Sequence, residues 1–146
     1  MKAVRFDSVH VGDRLGPLTK LVTDAQIRAY AEASGDANPI HLDASAARAR
    51  GLQGTVAHGM LGMAFLGQVL TNWVGCNGFV ASFKAKFLAM VYPGDIISCY
   101  GEVQGKDEGS RSADIDLWAE NQQGTKVIRG RATVHFQALN RTRGDV

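Results

Sequence analysis

The segment "TDAQIRAYAEASG" carries apolar side chains at Ile27, Tyr30 and Ala31. Spacings of three and four residues predict an amphipathic helix between Thr23 and Gly35. Thr23 is a candidate N-cap, and Gln26 three residues on completes a capping box. Gly35 suits the left-handed position that commonly closes a helix. In "DASAARARG" Asp43 and Gly51 bracket a second, short helix. The segment Thr55 to Val74, "TVAHGMLGMAFLGQVLTNWV", has no formally charged side chain and is apolar on nearly every side. It is long enough to span a bilayer. It also carries His58, Gln68 and Asn72, with glycines at 59, 62 and 67, and has no positive flank or second span. A helix from about His58 to Trp73, wrapped by protein rather than lipid, is therefore expected.

Elsewhere the period shortens to two. "PLTKLVT" reads as a strand before the helices. "GFVASFKAKFL" alternates, with Phe83, Ala85 and Phe87 on one face and Ser82, Lys84 and Lys86 on the other. "YPGD" is a turn, and "IISCYGEVQG", "SADIDLWAEN" and "TKVIRGRATVHFQ" are three further strands separated by turn residues. One strand, short helices, one long apolar helix and four strands do not alternate as βαβ units would. The order argues for an α+β domain over residues 1–146, with an antiparallel sheet curled around the apolar helix and a polar tail at about 139–146.

Composition narrows the partners. The 146 residues suit one domain, with 45% hydrophobic and 21% charged residues. A net charge of +2 permits an anionic ligand, but no basic run interleaved with aromatics points to nucleic acid. The first residues hold no apolar run of signal-peptide length. Cys76 and Cys99 form no CxxC pair, and two thiols make no dense disulfide framework, so a cytoplasmic location is expected. His10, His41, His58 and His135 show no metal-ligand spacing. No metal and no cofactor are expected.

The candidate chemistry lies in "SGDANPIH", residues 34 to 41. Pro39 lacks an N–H and turns Asn38 away from helical geometry, so the segment is expected to be a bent loop. Asp36 and His41, five residues apart, would diverge on a helix but can converge across such a bend. Asn38 can brace it with side-chain hydrogen bonds. Histidine is the side chain that most readily exchanges a proton near neutrality. Asp36 would either orient the imidazole or, if buried, hold a proton itself. Such a pair can hold one water between an acid and a base. "TVAHGML" opens the apolar helix, and Gly59 falls in its first turn, where N–H groups lack intrahelical partners. The Gly59 N–H is thus a candidate donor to a developing oxyanion. His58 is read as a ligand contact, a lid or, preferably, a packed structural histidine.

"SGDANPIHLDASAA" followed by "VAHGML" resembles the MaoC-like, or hydratase-2, enzymes, and the likeness runs from "VGDRL" through "YPGD" to the last strand. Within that family "NPIH", "AHGML" and "TNWVG" resemble the catalytic subunits of actinobacterial (3R)-hydroxyacyl-ACP dehydratases. The resemblance implies a hot-dog fold and reversible hydration of trans-2-enoyl thioesters to (3R)-3-hydroxyacyl thioesters. It implies Asp36 and His41 as the catalytic dyad and Gly59 as the donor to the thioester carbonyl. Asn38, His58 and Gly67 would lie on the substrate side. Gly67 stands where some stand-alone hydratases carry a serine, and its lack of a side chain would widen the acyl tunnel or serve helix–sheet packing. The substrate would be an acyl-CoA or acyl-ACP, and the protein a homodimer or a heterodimer with a second hot-dog subunit.

Two other readings remain. A hot-dog thioesterase, or a dehydratase with its acid on the central helix, needs a carboxylate there, and no Asp or Glu occurs between Asp43 and Asp95. A non-catalytic subunit of a heteromeric dehydratase would have no reason to keep both Asp36 and His41. The same carboxylate-free interval holds Arg48, Arg50, Lys84 and Lys86, candidate contacts for phosphate or for an acidic carrier protein. Arg129 and Arg131 alternate on the last strand and would add to them.

Overall fold

The computed structural model describes residues 2–138, so the tail expected at about 139–146 lies outside the described residues. Strand β1 (Arg14–Leu21) leads into helices α1 (Asp24–Ser34), α2 (Pro39–Leu42), α3 (Ala44–Ala49) and α4 (Gly59–Val74). Strands β2 (Gly78–Phe87), β3 (Ile96–Asp107), β4 (Ser112–Glu120) and β5 (Lys126–Phe136) follow. The five strands form one antiparallel sheet in the order β1-β3-β4-β5-β2. This is the expected α+β arrangement, with α4 packed on all five strands.

β1 begins three residues before the expected "PLTKLVT". Its ladder with β3 skips from Leu15 to Leu18, which passes over Pro17, a residue with no N–H to give. α1 has the predicted ends. The Thr23 hydroxyl accepts from the Gln26 N–H at 3.1 Å, and Gly35 takes φ 77°. The reciprocal half of the capping box is not made, because the Gln26 Oε1 is buried without a partner.

Along α4 the side chains of Leu61, Phe65, Leu66, Val69, Leu70 and Val74 are buried against the sheet. Full burial of such a side chain contributes about 1.5–3 kcal/mol. The cover that the sheet gives α4 is one-sided. Met60, Ala64, Gln68, Thr71 and Asn72 are exposed, because the sheet covers one face of the helix and no other described element covers the opposite one. No helix among the described residues is long and apolar enough to cross a membrane.

Candidate active site

The proline-bent segment departs from a plain loop at its second half. Asn38 is extended (φ −55°, ψ 129°), and Pro39 then starts one helical turn, α2, which carries His41. A proline at the first helical position has the right φ already and gives up an N–H that would have no partner there. Asn38 caps this turn, its Oδ1 accepting from the Ile40 N–H at 3.3 Å. The Asp36 Oδ1 accepts from the Asn38 N–H at 3.2 Å. These two local bonds set Asp36 and His41 on either side of the bend. Asn38 is an exposed brace, and it is not among the residues that line the pocket described below.

His41 is buried, and its Nδ1 lies 2.7 Å from the Val56 carbonyl oxygen. A carbonyl only accepts, so Nδ1 carries the hydrogen and Nε2 presents a lone pair. That Nε2 lies 3.9 Å from the Asp36 Oδ2. The gap is too long for a direct hydrogen bond, but it would admit a water about 2.8 Å from each atom. The Asp36 side chain is 56% exposed, so the alternative of a buried acid is not what the fold builds.

Val56 is the residue that sequence reasoning missed. Its carbonyl orients His41, while its N–H donates to the Ile40 carbonyl at 3.1 Å. Backbone contacts of this kind leave no signature in side-chain pattern. The neighbouring Ala57 N–H donates to the Val91 carbonyl at 2.8 Å, which ties the entrance of α4 to the segment between β2 and β3.

His58 is the N-cap of α4 but makes no side-chain cap bond. Its ring turns back instead. Nε2 lies 2.9 Å from the Asp36 carbonyl oxygen, the ring stacks on His41 with centroids 3.7 Å apart, and Tyr30 meets its edge at 4.8 Å. Donor atoms of Asp36, His41 and His58 thus fall within 4.8 Å of one another. The spacing of the histidines along the chain gave no hint of this closeness, which arises because α2 and the α4 entrance fold against each other. One nitrogen of each ring is already engaged with a carbonyl.

Gly59 is the first residue of α4, and its N–H belongs to the set a helix leaves without intrahelical partners. A Cβ placed there would stand 3.0–3.1 Å from the Phe87 ring. His41, His58 and Gly59 form the polar end of a cavity of about 240 Å³ whose walls are otherwise apolar, with Phe65, Phe87 and Ile128 among them. Of the two readings of Gly67, the geometry fits helix–sheet packing. Gly67 is absent from the cavity wall, and its α-carbon faces Phe83 between helix and sheet. Gly62, one turn earlier, lines the cavity instead.

The cationic residues divide into two groups. Lys84 and Lys86 line an open depression of about 490 Å³ on the sheet together with Arg129 and Arg131. Arg131 is paired with Asp116 at 3.1 Å. Arg48 and Arg50 are exposed near the end of α3, outside that depression. The structure does not gather all four expected contacts in one place.

Residues 3–123 match the family model described as a MaoC like domain. Over 134 residues the chain is 30% identical to the (R)-specific enoyl-CoA hydratase of Rhodospirillum rubrum, covering 91% of this chain and 92% of that protein. Over 108 residues it is 34% identical to the fatty acid synthase beta subunit TOXC of Cochliobolus carbonum, covering 73% of this chain and 5% of the subunit. The chain spans only 3–5% of the length of the fungal synthase proteins it matches. Among solved structures, the (R)-hydratase from A. caviae involved in PHA biosynthesis superposes with a TM-score of 0.82 at 26% identity, covering 89% of this chain and 98% of that one.

Proposed function

The chain belongs to the MaoC-like domain family, and from that premise we propose that it adds water reversibly to trans-2-enoyl thioesters to give (3R)-3-hydroxyacyl thioesters. The observation that carries this reading is the facing pair of Asp36 Oδ2 and His41 Nε2, 3.9 Å apart beside an apolar cavity. A water between them is a nucleophile held by a base. As its oxygen bonds to C3, its proton passes to the pair, and the proton that reaches C2 comes from the same pair. The dyad ends as it began. Negative charge that builds on the thioester oxygen meets the Gly59 N–H at the start of α4. The apolar cavity takes the acyl chain. Dehydration is the same path reversed.

The carrier is coenzyme A or an acyl carrier protein. The chain works as a dimer, with itself or with a second hot-dog subunit. β2 is an edge strand, and Phe79, Phe87, Leu88 and Met90 in and just after it are exposed. Long apolar edges of this kind need cover. Phe87 and Met90 also line the cavity, so a partner seated on this edge would complete its wall.

The test is hydration of crotonyl-CoA and of a longer trans-2-enoyl-CoA, followed by loss of enoyl absorbance. Asp36→Ala and His41→Ala are expected to abolish most turnover while circular dichroism stays that of the wild type. Near-wild-type turnover in either folded variant would remove the dyad from the mechanism.

A further inference from the structure

We infer that His58 is a positioning residue that holds the acid and the base of the dyad in register, a role that rests on the reaction proposed above. Three observations converge on it. His58 is 3% exposed, its Nε2 meets the Asp36 backbone carbonyl at 2.9 Å, and its ring lies against His41 at 3.7 Å. No other described side chain touches both members of the pair in this way. Asp36 is otherwise held by local bonds alone, to the Ser34 hydroxyl and the Asn38 N–H.

The hydrogen positions follow from the partners. A carbonyl accepts, so His58 carries its hydrogen on Nε2, the opposite nitrogen from the one protonated in His41. The His58 Nδ1 is then a bare lone pair, buried, with no hydrogen-bond partner. An added proton on Nδ1 would find no acceptor, which makes the ring a one-sided donor to Asp36 rather than a proton shuttle. The groups that face it are Asp36 from the α1–α2 bend, His41 from α2 and Tyr30 from α1. A buried polar atom left unpaired carries a cost. A glutamine would give the same donor without the aromatic face, and a phenylalanine the face without the donor. Histidine supplies both at once.

Two variants separate these contributions. His58→Phe keeps an aromatic ring for the stack and removes the donor to Asp36. His58→Gln keeps an N–H near Nε2 and removes the ring. Misplacement of a catalytic group by about 1 Å can cost 10²-fold in rate. His58→Phe is therefore expected to lower kcat by about 10- to 100-fold with KM held and Tm little changed, and His58→Gln to recover most of that loss. Wild-type kcat in His58→Phe would overturn the inference. So would equal loss in both variants at unchanged Tm, because the ring itself would then be doing the chemistry.

A second readout does not depend on turnover. Imidazole ¹⁵N spectra of the neutral rings should show His41 as the Nδ1–H tautomer and His58 as the Nε2–H tautomer. His58→Phe should displace the His41 signals. Matching tautomers in the wild type, or His41 signals unmoved in His58→Phe, would refute the arrangement even for a protein that hydrates no substrate. Absence of hydration by the wild type with these spectra intact would refute the reaction alone.

Discussion

Gly62 and Gly67 lie on the same helix, and alanine at the two positions should act in opposite directions. An alanine in a helix interior is favoured over glycine by about 0.8–1 kcal/mol. At Gly67 the new Cβ would meet the Phe83 ring at 3.6 Å, an ordinary contact, so that gain should survive. At Gly62 the Cβ would stand 2.5 Å from the Cδ1 of Ile128, a side chain only 2% exposed. Carbon atoms normally sit about 3.5–4.0 Å apart, so Ile128 must give by about 1 Å or more. Overpacking costs about 1–3 kcal/mol in a filled core and less where, as here, a terminal methyl can swing into a cavity, which leaves a net loss of about 0–2 kcal/mol. For a domain of this size each kcal/mol moves Tm by about 2–4 °C. Gly67→Ala should therefore raise Tm by about 2–4 °C, and Gly62→Ala should lower it by up to about 8 °C.

The functional difference is sharper. Gly62 and Ile128 both line the cavity, so a displaced Ile128 takes space from the acyl chain. One methylene in an apolar pocket is worth about 1–3 kcal/mol, or 10- to 200-fold. In Gly62→Ala the kcat/KM ratio of a long trans-2-enoyl-CoA to crotonyl-CoA should fall by at least about 10-fold. Gly67→Ala should leave the ratio unchanged. A folded Gly62→Ala variant with the wild-type ratio, or a Gly67→Ala variant that shifts it equally, would refute this placement of the acyl chain.

Gly59→Pro removes one N–H at a first helical position that tolerates proline, after a His58 backbone (φ −60°, ψ 136°) already extended as a pre-proline residue should be. With the Gly59→Ala variant as control for the contact with Phe87, kcat should fall by about 10²- to 10³-fold if that N–H meets the oxyanion; equal rates in the two variants would exclude it. Burial pushes the Cys99 thiol up to about 12 from 9.0, against a smaller opposing effect of Lys20, whereas Cys76 is exposed. A thiol reagent should label Cys76 at once and Cys99 only on unfolding. Because the fold favours the neutral thiol, this contribution to stability is intact below pH 9 and declines as pH rises from 9 toward about 12. Rapid labelling of both thiols in the folded protein would contradict it.

Much of the fold was legible because its signals are local. The Thr23 cap and Gly35 mark α1, and the alternation in β2 and the turn at Tyr92–Asp95 appear as read. The convergence of Asp36 and His41 was also legible, since Pro39 forbids the helix that would separate them. What escaped was the tertiary part. The helical turn at Pro39–Leu42 is too short to show a period. The Val56 carbonyl carries no side-chain signal, and the meeting of His58 with Asp36 spans 22 residues. The choice between Gly62 and Gly67 as a cavity position depends on which face of α4 turns toward Ile128 and which toward Phe83. The apparent all-round apolarity of α4 hid an exposed face, because small and weakly polar residues such as Ala64 and Thr71 look alike in a buried helix and an uncovered one.

The most direct test of the central claim is the product formed from crotonyl-CoA in D₂O. Asp36 Oδ2 and His41 Nε2 lie 3.9 Å apart, and a water held between them, as proposed, would reach the double bond from one side, so hydroxyl and deuteron should arrive on the same face. NMR of the isolated product should show (3R)-3-hydroxybutyryl-CoA with a single deuterium at C2, syn to the new hydroxyl. A (3S) product, deuterium on the opposite face, or release of free coenzyme A in place of hydration would contradict the account.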